Sequence, residues 1–146
     1  METTSVDIAT LRSDPRVVIA RDVLRFSDCD SLGHVNNVVF ATLCESGRVR
    51  FAEERLLSHL PDGSAIVLAR LAIDFRRELH YPGEVETATW LSRVGRSSMT
   101  LSQAILSGDT MAATAEGVIV AIDLGTRKPV QIKGEARAAL EAAMMG

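Results

Sequence analysis

Along this chain the apolar residues change period twice. Residues 16–26, RVVIARDVLRF, are dense in β-branched and apolar side chains and predict a first strand. From Val38 to about Leu57 the spacing becomes helical. Phe40, Cys44, Gly47 and Phe51 recur at steps of four, three and four and share one face, while Glu45, Arg48, Glu53, Glu54 and Arg55 fall largely outside it. Asn36 or Asn37 stands where an N-cap would accept from an orphan backbone N–H. Gly47 inside the helix costs about 1 kcal/mol relative to Ala, which predicts that another backbone packs closely against it.

After PDGS (61–64) the period returns to two. Val67, Ala69, Leu71, Ile73 and Phe75 alternate with Arg70, Asp74 and Arg76, predicting a half-buried strand. YPGE (81–84), GRSS (95–98), SGDT (107–110) and GTRKP (125–129) read as turns bounding further strands, and KGEARAALEAAMMG predicts a short terminal helix. Strands joined by short turns should be antiparallel neighbours, so the four after the helix are expected to form a meander. One helix and one sheet that bury each other's apolar faces give an α+β two-layer domain. Residues 1–15 read as a flexible leader and 16–146 as a single domain. The outer strands need covering, so a homodimer or homotetramer is the expected state.

Bulk chemistry narrows the function. At 146 residues and 47% apolar content the chain can bury a core without staples. A net charge of -3 argues against nucleic acid or an anionic membrane as the main partner. Cys29 and Cys44 make neither a disulfide framework nor a CxxC site, and His34, His59 and His80 are far apart in sequence, so no metal or cofactor is expected. The N-terminus lacks the apolar core of a signal peptide, and no apolar run reaches membrane-spanning length, so a cytoplasmic location is expected.

One stretch departs from ordinary loop composition. FSDCDSLGHVNN, residues 26–37, crowds Asp28, Asp30, His34, Asn36 and Asn37 between the first strand and the helix. By residue type alone, Asp30 caps its own turn and an asparagine caps the helix. The unit of strand, DCDSLGHVNN and helix, followed by GRVRF and by strands carrying RVGRSS, resembles the hotdog-fold acyl-CoA thioesterases of the 4-hydroxybenzoyl-CoA thioesterase type over about residues 16–131. That resemblance implies an antiparallel sheet of about five strands wrapped around one central helix. It also implies hydrolysis of an acyl-CoA or acyl-carrier-protein thioester to free acid and thiol.

Site residues follow from the same resemblance. Asp30 matches the family's nucleophile or general base, and both roles stay open. Asn37 falls where a backbone N–H at the helix start polarises the thioester carbonyl, a task suited to the unpaired donors and partial positive charge there. His34 matches a catalytic histidine of plant acyl-carrier-protein thioesterases, although those carry an asparagine where this chain has Leu32. Glu45 stands where some relatives place their acid; the plain alternative is a surface pair with Arg48. Gly33 and Asn36 are expected to bind substrate, as are Arg93, Arg96, Ser97 and Ser98, whose arginines and hydroxyls around a glycine turn suit a coenzyme A phosphate. Asp28 is expected to hold the turn. A non-catalytic acyl-CoA-binding hotdog domain is the alternative.

Overall fold

The computed structural model describes residues 6–146. In chain order it contains α1 (Ile8–Ser13), β1 (Val18–Leu24), α2 (Asn37–Phe51), β2 (Ser64–Phe75), β3 (Gly83–Val94), β4 (Ser98–Ser107), β5 (Thr110–Asp123) and α3 (Gly134–Ala142). The five strands form one antiparallel sheet in the order β1-β3-β4-β5-β2, with α2 packed on one face. This is the hotdog arrangement.

The expected four-strand meander is only partly present. β3, β4 and β5 follow one another through tight turns, but β2 pairs with β5, from Ser64↔Asp123 to Phe75↔Ala113, while β3 pairs with β1. The cause lies in residues 76–82, which cross the sheet end instead of reversing. The Arg76 and Arg77 N–H groups both donate to the Ala112 carbonyl, and the Leu79 carbonyl accepts from Val35 N–H at 2.9 Å. Leu79 itself is buried beside Val35, Phe40 and Leu43 and pins the crossover to the core.

α2 buries the face its spacing predicts. Phe40, Cys44, Gly47 and Phe51 are all buried, and after Phe51 the helix widens into a π-helical turn over Ala52–Leu56. Gly47 is a point of close approach between helix and sheet, yet side chains meet it there, not backbone. A Cβ on Gly47 would lie 2.7 Å from Gln103 Nε2, 2.7 Å from Thr87 Cγ2 and 2.8 Å from Thr89 Oγ1. Gln103 is fully buried and donates to both the Cys44 carbonyl and Thr89 Oγ1 at 2.9 Å. Arg48, expected outside the buried stripe, lies within it. Its stem crosses Gly117, whose missing side chain leaves room, and its Nη1 reaches Gln103 Oε1 at 3.5 Å.

The opposite sheet face is also covered, which explains why β3 is buried on both sides. Leu11, Val17, Ala88, Trp90, Ala104, Leu106 and Met145 form that second cluster. Within the stretch expected to be a leader, Asp7 caps α1 by accepting from Thr10 N–H, and Leu11 is buried. The rest of the leader, residues 1–5, lies outside the described residues. β2 differs in the other direction. Expected to be half-buried, it lies at the sheet edge with Val67, Leu68 and Phe75 each more than 40% exposed; α2 packs mainly over β1, β3 and β4 and touches β2 through Phe40, whose ring meets Phe75 edge to face with centroids 5.2 Å apart. A bulge between Leu68 and Arg70 also breaks the alternation read from the sequence.

Candidate active site

The stretch after β1 folds into two nested turns. Phe26–Asp28 form one 3-10 turn, held by Asp28, whose Oδ2 accepts from Arg25 N–H at 2.8 Å. A bridge between Cys29 and Val35 closes a second turn over residues 30–34. Its ends are tied by Asp30 N–H donating to the His34 carbonyl at 2.8 Å, and Gly33 supplies the positive φ, +82°, that a side chain would resist. The Asp30 side chain caps this turn. Its Oδ1 accepts from Leu32 N–H at 2.9 Å and from His34 N–H at 3.3 Å. The other oxygen, Oδ2, has no hydrogen-bond partner among the described residues, and Asp30 is exposed.

Asn36 then starts α2. Its Oδ1 accepts from Val38 N–H at 3.0 Å, and its carbonyl accepts from Val39 N–H. The Asn37 N–H has no acceptor among the described residues, as first-turn donors of a helix do not. Asp30 and the exposed start of α2 are thus two ends of one short turn, and Asn36 N–H donating to the Asp28 carbonyl at 2.8 Å fixes their relation. Two groups that the sequence reading did not place near this turn, Glu78 and His80, join it. His34 Nε2 lies 3.2 Å from Glu78 Oε2, and His80 Nε2 lies 3.4 Å from the same oxygen. The two imidazoles meet edge to face with centroids 5.4 Å apart.

The sequence model of the thioesterase-like superfamily matches residues 24–140, which takes in this turn, α2 and the four later strands. The chain belongs to that superfamily. It is a thioester hydrolase. The YbaW probable thioesterase of Escherichia coli superposes on this enzyme with a TM-score of 0.73 at 25% identity, over 87% of this chain and 98% of that one. A predicted thioesterase from Bacillus stearothermophilus gives 0.74 at 22% identity, over 88% and 97%. The DHNA-CoA thioesterase of Staphylococcus aureus gives 0.72 at 20%, over 86% and 91%, and at that identity the likeness is one of fold. No curated protein sequence matches the chain.

Glu45 and the arginine turn of the thioesterase lie apart from the Asp30 turn. Glu45 is exposed two turns along α2, roughly 12 Å from Asn37 at ~1.5 Å per residue. It forms no ion pair with Arg48 within 4.0 Å among the described residues. Arg48 is instead drawn inward, where burial pushes its guanidinium below the usual arginine range. Arg93, Arg96, Ser97 and Ser98 occupy the β3–β4 hairpin at the far end of the sheet, roughly 33 Å along β3 from Gly83 at ~3.3 Å per residue. Both arginines are exposed. Arg137 of α3 fastens the base of this hairpin, donating to the Val94 and Gly95 carbonyls. A single chain therefore does not bring the arginine turn to Asp30. Gly33 serves backbone shape, and the Asn36 side chain is engaged in capping. Cys44 is no nucleophile, since burial pushes its thiol up to about 11. Among the described residues, no helix is long and apolar enough to cross a membrane.

Glu78 and His80 were missed because nothing local marks them. The only available signal was their position either side of an apolar residue, Leu79, in an extended segment, which puts two polar side chains on one side.

Proposed function

We propose that this enzyme hydrolyses acyl-CoA or acyl-carrier-protein thioesters at the turn running from Asp30 to Asn37. The observation that carries the reading is one carboxylate oxygen without a partner and one helix-terminal N–H without an acceptor, held in the same short turn. Thioester cleavage needs both: an oxygen that attacks the carbonyl carbon or takes a proton from the attacking water, and a donor where negative charge develops. Asp30 Oδ2 is the first. The Asn37 N–H, at the positive end of the α2 dipole, is the second. Capping through Oδ1 does not compete with this role, because it fixes the direction of the free oxygen. His34 lies in the same turn and hydrogen-bonds the reacting group.

The functional unit is a homo-oligomer with at least two chains. An unpaired β2 edge carrying exposed Val67, Leu68 and Phe75 favours this, as does the distance between the arginine hairpin and Asp30 within one chain. Arg93, Arg96, Ser97 and Ser98 then hold the phosphates of a substrate whose thioester reacts on the other protomer. Glu45, also remote from its own Asp30, contributes across the same interface.

The test is Asp30→Asn assayed over a panel of acyl-CoAs with a thiol indicator. Asparagine keeps an Oδ1 for the turn, so folding and substrate binding should persist while turnover falls by about 10² to 10⁴. A folded Asp30→Asn protein that hydrolyses its best substrate at the wild-type rate would sink the assignment.

A further inference from the structure

Sequence distance hides a second layer of the site. Glu78 and His80 sit on the 76–82 crossover, more than forty residues from His34 in sequence. The Val35–Leu79 backbone bond brings the segments together, and both of these apolar residues point into the core. Their polar neighbours, His34 on one segment and Glu78 and His80 on the other, are left facing one another outside it. A single oxygen, Glu78 Oε2, stands 3.2 Å from His34 Nε2 and 3.4 Å from His80 Nε2. These contacts are longer than the ~2.7–2.9 Å of a fully formed charge-assisted bond, as catalytic contacts often are before substrate arrives. His80 closes the other side, its ring at 89° to that of His34.

We propose that Glu78 is a positioning residue for thioester hydrolysis, holding the His34 imidazole through Nε2 so that Nδ1 faces the reacting group. A neutral imidazole that gives its Nε2 hydrogen to a carboxylate carries its lone pair on Nδ1. Glu78 therefore sets both the tautomer and the direction of the ring, and His80 restricts its rotation. Among the other charged side chains near this end, Arg25 is engaged by Asp28, Arg76 by Thr114 and Arg77 by the Arg76 carbonyl, while Asp30 spends only Oδ1 on its turn. The free side of the ring is thus left for substrate. This inference rests on the assignment of His34 to the reacting site.

A double-mutant cycle tests it, with kcat and KM measured for Glu78→Ala, His34→Ala and the pair on the best acyl-CoA of the panel. Glu78→Ala should lower kcat by roughly 10-fold to 10²-fold, as loss of orientation does, and change KM by less than about twofold. In the His34→Ala background the same substitution should cost nothing further. Glu78→Gln keeps an oxygen acceptor and should recover most of the loss. Nitrogen-15 NMR of the His34 ring supplies a readout independent of turnover, with one Nε2–H tautomer in the wild type and a mixture in Glu78→Ala. Wild-type turnover in His34→Ala overturns the placement of His34 and this inference with it. A slow His34→Ala enzyme beside an unaffected Glu78→Ala enzyme, additive losses in the pair, or an unchanged tautomer overturns the Glu78 role alone.

Discussion

Gly47→Ala sets two opposing effects against each other at one atom. On helix propensity alone the added methyl should stabilise α2 by about 1 kcal/mol. Against this, the new Cβ would stand 2.7 Å from Gln103 Nε2, 2.7 Å from Thr87 Cγ2 and 2.8 Å from Thr89 Oγ1, and all three side chains are essentially inaccessible. Overpacking at a buried contact of this kind costs about 1–3 kcal/mol. Moving Gln103 aside also breaks its bonds to the Cys44 carbonyl and Thr89, and a buried polar group left unpaired costs about 1–3 kcal/mol more. The packing and hydrogen-bond losses win, leaving a net destabilisation of about 1–5 kcal/mol, centred on ~3 kcal/mol. At about 2–4 °C per kcal/mol for a chain of this size, that central value lowers Tm by roughly 6–12 °C. Thermal unfolding followed by circular dichroism, at matched protein concentration, measures it. A Gly47→Ala protein as stable as the wild type, or more so, would show that the sheet yields there and that the argument from close approach is wrong.

Three further outcomes are expected. Replacing Arg93 and Arg96 with Ala should raise KM for an acyl-CoA but leave a truncated pantetheine thioester almost unaffected, since the lost contacts are remote from the reacting carbon; equal effects on both would remove the phosphate role. Burial raises the Cys44 thiol from 9.0 to about 11, so the folded chain keeps this proton longer than the unfolded one. Its contribution is fully present below about pH 9 and is lost as pH rises towards 11, by on the order of 2–3 kcal/mol. Urea melts at about pH 8 and about pH 10.5 should show a steeper loss in the wild type than in Cys44→Ala, and identical slopes would contradict it. Sedimentation at micromolar concentration should give at least a dimer, and an active monomer would exclude a site shared between chains.

What could be read from the sequence was whatever repeats with a period or is bounded by a cap. The α2 stripe obeyed helical spacing, and Asn36 stood one residue before the first helical turn, so the motif's place at a helix mouth was legible. Arg48 broke the same logic. Its burial depends on Gly117, far along the chain, leaving a slot for its stem, and no local pattern reports that. The β2–β5 pairing was hidden for a related reason. YPGE (81–84) reads as a turn closing a hairpin, whereas the bonds from Arg76 and Arg77 to Ala112 send the preceding residues across the sheet end. Leu11 failed through brevity, since a helix of six residues offers too few positions for a period to show. Glu78 and His80 come beside His34 where a long-range backbone bond joins Val35 to Leu79, which neither composition nor spacing encodes.

The strand order also dictates a sequence of assembly. The β3–β4–β5 hairpins join residues close in the chain, but β2 must wait for β5: Ser64 pairs with Asp123 and Phe75 with Ala113. During synthesis, β2 therefore emerges well before β5, its one partner strand among the described residues, and stays unpaired until β5 follows it out. Its Leu68 and Phe75, exposed even in the finished sheet, are the surfaces a nascent chain would offer to neighbours or chaperones. Substitutions at the Leu68–Arg70 bulge of this long-range pair are expected to quicken unfolding while leaving the folding rate nearly constant.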